Sequence, residues 1–231
     1  MLAVASTCGI VEASSARVPW PMPRHLVLLV GAIVLLAGAC GDDDSTGSAS
    51  GAAVTGERIE LDGSAALIWG DGERGAVLAH GASYDAASWQ EQAEQTAAAG
   101  STVVAVEDLG PDALRAASEF LETERLVTDV AVLGAGAGAD AMLALLSEEP
   151  DLADQVILLS PNRVVEGLGS QPKLFIASEG ESVADVSRQL AEEAPGKQND
   201  VLLVEGSAHA QGLFDSDQAT VVTDAILERL A

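Results

Sequence analysis

Cysteine occurs only twice in the 231 residues, at Cys8 and Cys40, both ahead of the region with regular apolar patterning. A disulfide framework and a cysteine-based zinc site are thereby excluded. Positive charge is also scarce: 11 Lys and Arg stand against 36 Asp and Glu, a formal net charge of −25. So acidic a chain lacks the basic footprint of nucleic-acid binding and cannot dock to anionic lipid by charge. Aromatic residues make up 3%, with a single tyrosine, so no stripe for stacking on sugars can be named. No collagen-like or solenoid period is visible. Against these deficits stands a 48% hydrophobic composition, too apolar for a disordered protein, over a length that suits one substantial domain.

The N-terminus reads as an address. Arg24 and His25 precede the uncharged run Leu26–Ala39, and 14 residues fall short of the roughly 20 that span a bilayer. A positive start, an apolar stretch and small residues before a cut site make a secretory signal. Residues 1–21 lie outside this pattern, which makes Met22 a candidate start. Ala37-Gly-Ala-Cys40 resembles the lipobox of bacterial lipoproteins, and that resemblance implies a lipidated Cys40 as the mature first residue. Removal of residues 1–39 leaves 9 basic and 35 acidic residues. Gly41–Gly56 is a Gly/Ser/Asp linker that as a flexible coil reaches on the order of 20–25 Å. The expected organisation is signal 1–39, lipidated linker 40–57 and domain 58–231, held on the extracytoplasmic face of the cell membrane.

From Arg58 onward strands and helices alternate. Arg58–Leu61 and Ala65–Trp69 flank Asp62-Gly63, a hairpin signal. Gly75–Ala79, Thr102–Val106, Val130–Leu133, Val156–Leu159, Leu174–Ala177 and Val201–Val204 are continuous apolar runs. Helices are predicted over Asp85–Ala99 with Asp85 as N-cap, over Pro111–Leu126, over about Ala137–Ser147, over Ser182–Glu193 and over Ser216–Leu230. Continuous apolar strands alternating with helices imply an α/β domain, its mostly parallel sheet of about eight strands covered on both faces.

In such sheets ligands bind at the carboxyl ends of strands. The polar residues that follow strands are His80, Glu107-Asp108, Gly134–Gly138, Ser160, Ser178–Glu181 and Gly206–His209. Both histidines beyond the signal, His80 and His209, fall at such ends.

Across most of residues 58–231 the sequence resembles a small, capless α/β-hydrolase of the dienelactone-hydrolase or prolyl-oligopeptidase-like kind. Leu78-Ala-His-Gly-Ala82 resembles the strand and oxyanion loop, and Val132–Ala139 resembles the Gly-x-Ser-x-Gly nucleophile elbow. Pro172–Glu181 resembles the segment carrying the acidic triad member, and Glu205–His209 the histidine loop. The resemblance implies that Glu181, ahead of Glu179, orients His209, with oxyanion donors at the backbone of His80, Gly81, Ala82 and Ala137. The elbow position that should hold serine is Gly136, which carries no oxygen for His209 to activate. Glycine is sterically comfortable at the positive φ of an elbow. Asp140, in the first turn of the following helix, is favoured by the helix N-terminus and disfavours anionic ligands.

Three functions follow. The first is a catalytically degenerate hydrolase-fold module binding a small ester or acyl ligand, or a partner protein. The second is an active hydrolase of small esters that uses Ser160, Ser178 or Ser207. The third treats Gly134-x-Gly136-x-x-Ala139 as a dinucleotide fingerprint; it lacks the acidic residue at the next strand end, where only Arg163 could meet a 2′-phosphate. No cofactor or metal is expected, and the 160–172 interval is too short for a lid over the cleft.

Overall fold

A computed structural model describes residues 53–230. The expectations for Cys8, Cys40, the signal and most of the linker lie outside the described residues. The first hairpin forms because Asp62 and Gly63 both take positive φ, 48° and 84°, a turn whose twist matches that of paired strands. Strand β1 (Glu57–Leu61) therefore runs antiparallel to β2 (Ser64–Trp69), with Leu61 opposite Ser64. The β-branched and alanine-rich runs that follow form β3 (Arg74–Ala79), β4 (Ser101–Val106), β5 (Val130–Ala135), β6 (Gln155–Leu159), β7 (Lys173–Ser178) and β8 (Asn199–Val204). Their order across one eight-stranded sheet is β1-β2-β4-β3-β5-β6-β7-β8. β2 pairs antiparallel with β4, and all pairs from β4 to β8 are parallel.

Side chains alternate between the two faces as the strand period requires. Val77, Val104, Val132, Leu158 and Phe175 join a core beneath α2 (Pro111–Thr123), α3 (Ala137–Glu148) and α4 (Ala184–Glu193). Leu78, Val103, Leu133, Ile157 and Ile176 join the opposite core beneath α1 (Gln90–Ala98) and α5 (Ala219–Leu230). Burial on both faces explains why these strands read as unbroken apolar runs.

Several boundaries differ from those predicted. Asp85 does cap a helical start by accepting from the Ser88 N–H, but the first turn, Ala86–Trp89, is a 3-10 turn that leads into α1. α2 stops at Thr123, and Leu126 turns outward at φ 56°, 76% exposed, where the chain reverses so that Val127 can bond back to Leu121. The predicted helices over Ser182–Glu193 and Ser216–Leu230 begin later, and a 3-10 segment, Ala210–Asp215, precedes the last one. β8 is an edge strand with Val201 exposed, so its apolar run does not signify burial on both sides.

The topology positions the site. From β3 the chain crosses to β4 on one side, and from β5 it proceeds to β6 on the other. The crevice at the carboxyl ends of β3 and β5 is therefore a topological switch point, where α/β sheets bind ligands.

Candidate active site

Three glycines shape the turn between β5 and α3. A Cβ at Gly134 would stand 2.8 Å from the backbone of Ala139, and one at Gly138 would stand 2.2 Å from the carbonyl oxygen of Ala79. Both positions admit only glycine, because α3 rises directly across β5 and β3. Between them Gly136 takes φ 53° and ψ −108°, its N–H donating to Leu159 O at 2.9 Å and its carbonyl accepting from Asp140 N at 3.0 Å. The sharp strand-to-helix turn of a nucleophile elbow is thus present in the backbone.

His209 reaches this turn from the loop after β8. An ideal Cβ on Gly136 would lie 3.5 Å from His209 Nε2 and 3.1 Å from the Ala210 Cβ. On its other side the ring donates from Nδ1 to Glu181 Oε2 at 2.7 Å, which leaves the Nε2 lone pair toward Gly136. The Glu181 side chain is 5% exposed and the His209 side chain 49%, so the carboxylate sits behind a ring that opens on solvent. Glu181 is fixed in turn: its Oε1 accepts from the Ser178 N–H and from the Ser160 hydroxyl, both at 2.8 Å. The structure therefore brings Glu181, His209 and Gly136 together in one line, with Glu181 rather than Glu179 behind the ring.

Gly81 and Ala82 border the same cleft, about 240 Å³ in volume, with Ala137, Asp140 and Asn162. The N–H of Gly81 is taken by Gln211 Oε1 at 2.8 Å. Among the described residues, the N–H groups of Ala82 and Ala137 are bonded to no acceptor. Both are free to receive one, the second at a helix N-terminus where the dipole favours developing negative charge. His80 does not share in this. Its ring is buried, Nδ1 lying 2.9 Å from Gly81 O and Nε2 3.1 Å from Glu107 O. The imidazole is spent on backbone carbonyls that shape the loop.

The serines named as substitute nucleophiles stand elsewhere. Ser160 is fully buried, held by Glu181 and by the Ala210 N–H; Ser178 is fully buried and donates to Ala208 O. Ser207 lies on the exposed part of the loop. Asp140 accepts from the backbone and side-chain N–H groups of Asn162 at 2.9 and 3.0 Å, and Arg163 lies 3.9 Å from its carboxylate. An acidic side chain in the cleft wall, with Arg163 turned to it, opposes the pyrophosphate that a dinucleotide would place there. Among the described residues no group of three or more His, Cys, Asp or Glu side chains is arranged to hold a metal.

Three contributors were not anticipated. Ser160 clamps Glu181; Gln211 ties the histidine loop to the segment after β3 through Gly81 and Ser88; Ala210 crowds the elbow at φ 53°. Only the position of Ser160 just beyond a strand hinted at any of them.

No family model and no curated protein matches the chain. Solved structures do. A predicted CIB-like hydrolase from Thermoplasma acidophilum superposes with a TM-score of 0.57 at 20% identity, over 76% of this chain and 99% of that one. A monoacylglycerol lipase from Paleococcus ferrophilus gives 0.57 at 15% identity, over 74% and 98%. A hormone-sensitive lipase from a metagenome library gives 0.61 at 15% identity, over 78% and 86%. At these identities the likeness establishes the fold: the described chain is an α/β-hydrolase fold.

Proposed function

We propose that this protein is a lipid-anchored, extracytoplasmic α/β-hydrolase-fold module that has lost acyl-enzyme chemistry and binds a small, uncharged ester or acyl ligand in the cleft at Gly136. One observation carries the reading. The elbow backbone, the His209–Glu181 pair and two unpaired N–H donors stand around a residue with no side-chain oxygen. A covalent nucleophile is the one component of the triad that glycine cannot supply. The donors remain able to hold a carbonyl oxygen, while Asp140 in the cleft wall selects against anions. The Ala37–Cys40 sequence and the Gly/Ser/Asp linker support the anchor, and the anchor accounts for a cleft-bearing domain on a short tether.

Two measurements test this. Acetanilide, an amide that mimics a phenyl ester and resists hydrolysis, should shift the backbone amide resonances of Ala82 and Ala137 in a saturable way. A fluorophosphonate probe, which labels activated serines covalently, should leave the wild type unlabelled. Absence of any shift at those two amides overturns the binding reading, and stoichiometric labelling overturns the loss of the nucleophile.

A further inference from the structure

The loss of the serine leaves its base in working position. His209 holds a hydrogen bond to Glu181 at 2.7 Å and presents Nε2 to the place where a Cβ of residue 136 would stand, 3.5 Å away. Apart from the adjoining residues 135 and 137, the atoms within 4 Å of that place are His209 Nε2 and the Ala210 Cβ at 3.1 Å. The cleft it opens on measures about 240 Å³, where one water needs roughly 10–15 Å³ on the same measure. A water oxygen in van der Waals contact with the Gly136 Cα stands farther out than that Cβ position, where it fills the space a serine side chain would take and comes within hydrogen-bonding reach of Nε2. Tautomer and orientation are already fixed by Glu181, itself held by Ser160 and Ser178.

We propose that His209 and Glu181 act as a general-base dyad on water at Gly136, hydrolysing small uncharged esters in one displacement with no acyl-enzyme. The proposal rests on the ligand reading above. The ester carbonyl oxygen lies against the N–H groups of Ala82 and Ala137. Water attacks the carbonyl carbon as Nε2 takes one of its protons, and the C=O pair moves to the oxyanion. The tetrahedral species collapses by breaking the bond to the leaving alkoxide, which receives the proton from Nε2. Ester and water become acid and alcohol, and the histidine returns to its starting form. Water is the one co-reactant, and no change of oxidation state occurs.

Glycine at 136 is a requirement of this chemistry, because any Cβ takes the water's place. Hydrolysis of p-nitrophenyl acetate by the purified domain should be linear from the first turnover, slower in D2O, and without an acetyl adduct in the intact mass. His209→Gln, a change at a half-exposed side chain, should lower the rate at least about 100-fold, the usual worth of a positioned general base. Gly136→Ala should lower it comparably while acetanilide still shifts the Ala82 and Ala137 amides. A wild-type rate equal to that of His209→Gln, with acetanilide binding intact, overturns the water mechanism and leaves the binding reading standing. Loss of both binding and turnover overturns that reading, and the inference with it. A burst or an acetyl adduct in the wild type overturns the one-step displacement.

Discussion

Placing serine at position 136 is a two-residue problem, and the structure states both halves. Gly136→Ser places an ordinary residue at φ 53° and ψ −108°, a conformation that costs about 1–3 kcal/mol outside glycine. The new Cβ also stands 3.1 Å from the Ala210 Cβ, close enough that the neighbour must yield by a few tenths of an ångström. Forcing an extra carbon into a packed site costs typically about 1–3 kcal/mol more. Ala210 is itself at φ 53°, where glycine is favoured, so Ala210→Gly removes the obstructing methyl and relaxes a strained residue together. Against that relief stand the lost burial of one methyl, about 0.8 kcal/mol, and the added freedom of the unfolded chain, about 0.4–1 kcal/mol. Ala210→Gly alone should therefore be near neutral. Urea unfolding of all four proteins in a double-mutant cycle should return a favourable coupling of about 1–2 kcal/mol, within the range for residues in contact. Activity should follow: fluorophosphonate labelling and a p-nitrophenyl acetate burst should be weak in Gly136→Ser, strong in the pair, and absent from both when His209 is changed to Gln. Additive stabilities would mean that the two Cβ positions do not compete. A folded double variant that refuses the probe would mean that the elbow no longer presents residue 136 to His209.

Cys40→Ser should move the protein from the membrane to the soluble fraction and abolish acyl labelling; equal partitioning of both proteins would remove the anchor. Ser160→Ala deletes the hydroxyl that bonds Glu181 and the Ala210 N–H, so it should cost roughly 1–3 kcal/mol and broaden or erase the low-field His209 Nδ1–H proton resonance. Lys173 is fully buried with its ammonium on the carbonyls of Gly169, Gln171 and Pro195, and burial pulls its pKa below the usual lysine value. Lys173→Met should leave those carbonyls unpaired and lower stability by roughly 1–3 kcal/mol; an unchanged urea midpoint would count against their burial. Arg115 joins α2 to the end of α3 through Glu149 and holds that carboxyl below its ordinary value of 4.5. The unfolded state then binds the proton more readily, so this stabilisation is complete above 4.5 and fades as pH falls through the lowered folded value. Arg115→Met should be less stable than the wild type at neutral pH and converge with it in acid, more weakly at high salt, because the pair is exposed.

The alternation of apolar runs with helical segments determined by itself that the domain is α/β with a mostly parallel sheet. Strands buried on both faces have no polar alternation to disguise them, and Asp62-Gly63 specifies its hairpin through local backbone preference alone. Residues 132–139 were legible through their resemblance to an elbow motif, and the glycines at 134 and 138 have a local reason, since the close strand-to-helix crossing leaves no room there for a Cβ. Features set by distant parts of the chain were not legible. β8 reads like an interior strand, and only its place at the sheet edge exposes Val201. His80 and His209 occupy equivalent places in the linear pattern, yet the fold turns one ring onto backbone carbonyls and the other onto Glu181 and Gly136. Ser160 and Gln211 work across separations of 21 and 130 residues. A hydrogen bond is satisfied by whatever the fold brings within 3 Å, and no local spacing encodes that distance. The pairing of a free imidazole nitrogen with an unoccupied Cβ position is likewise a property of two loops meeting above the sheet, decided only when β5 and β8 take their places in it.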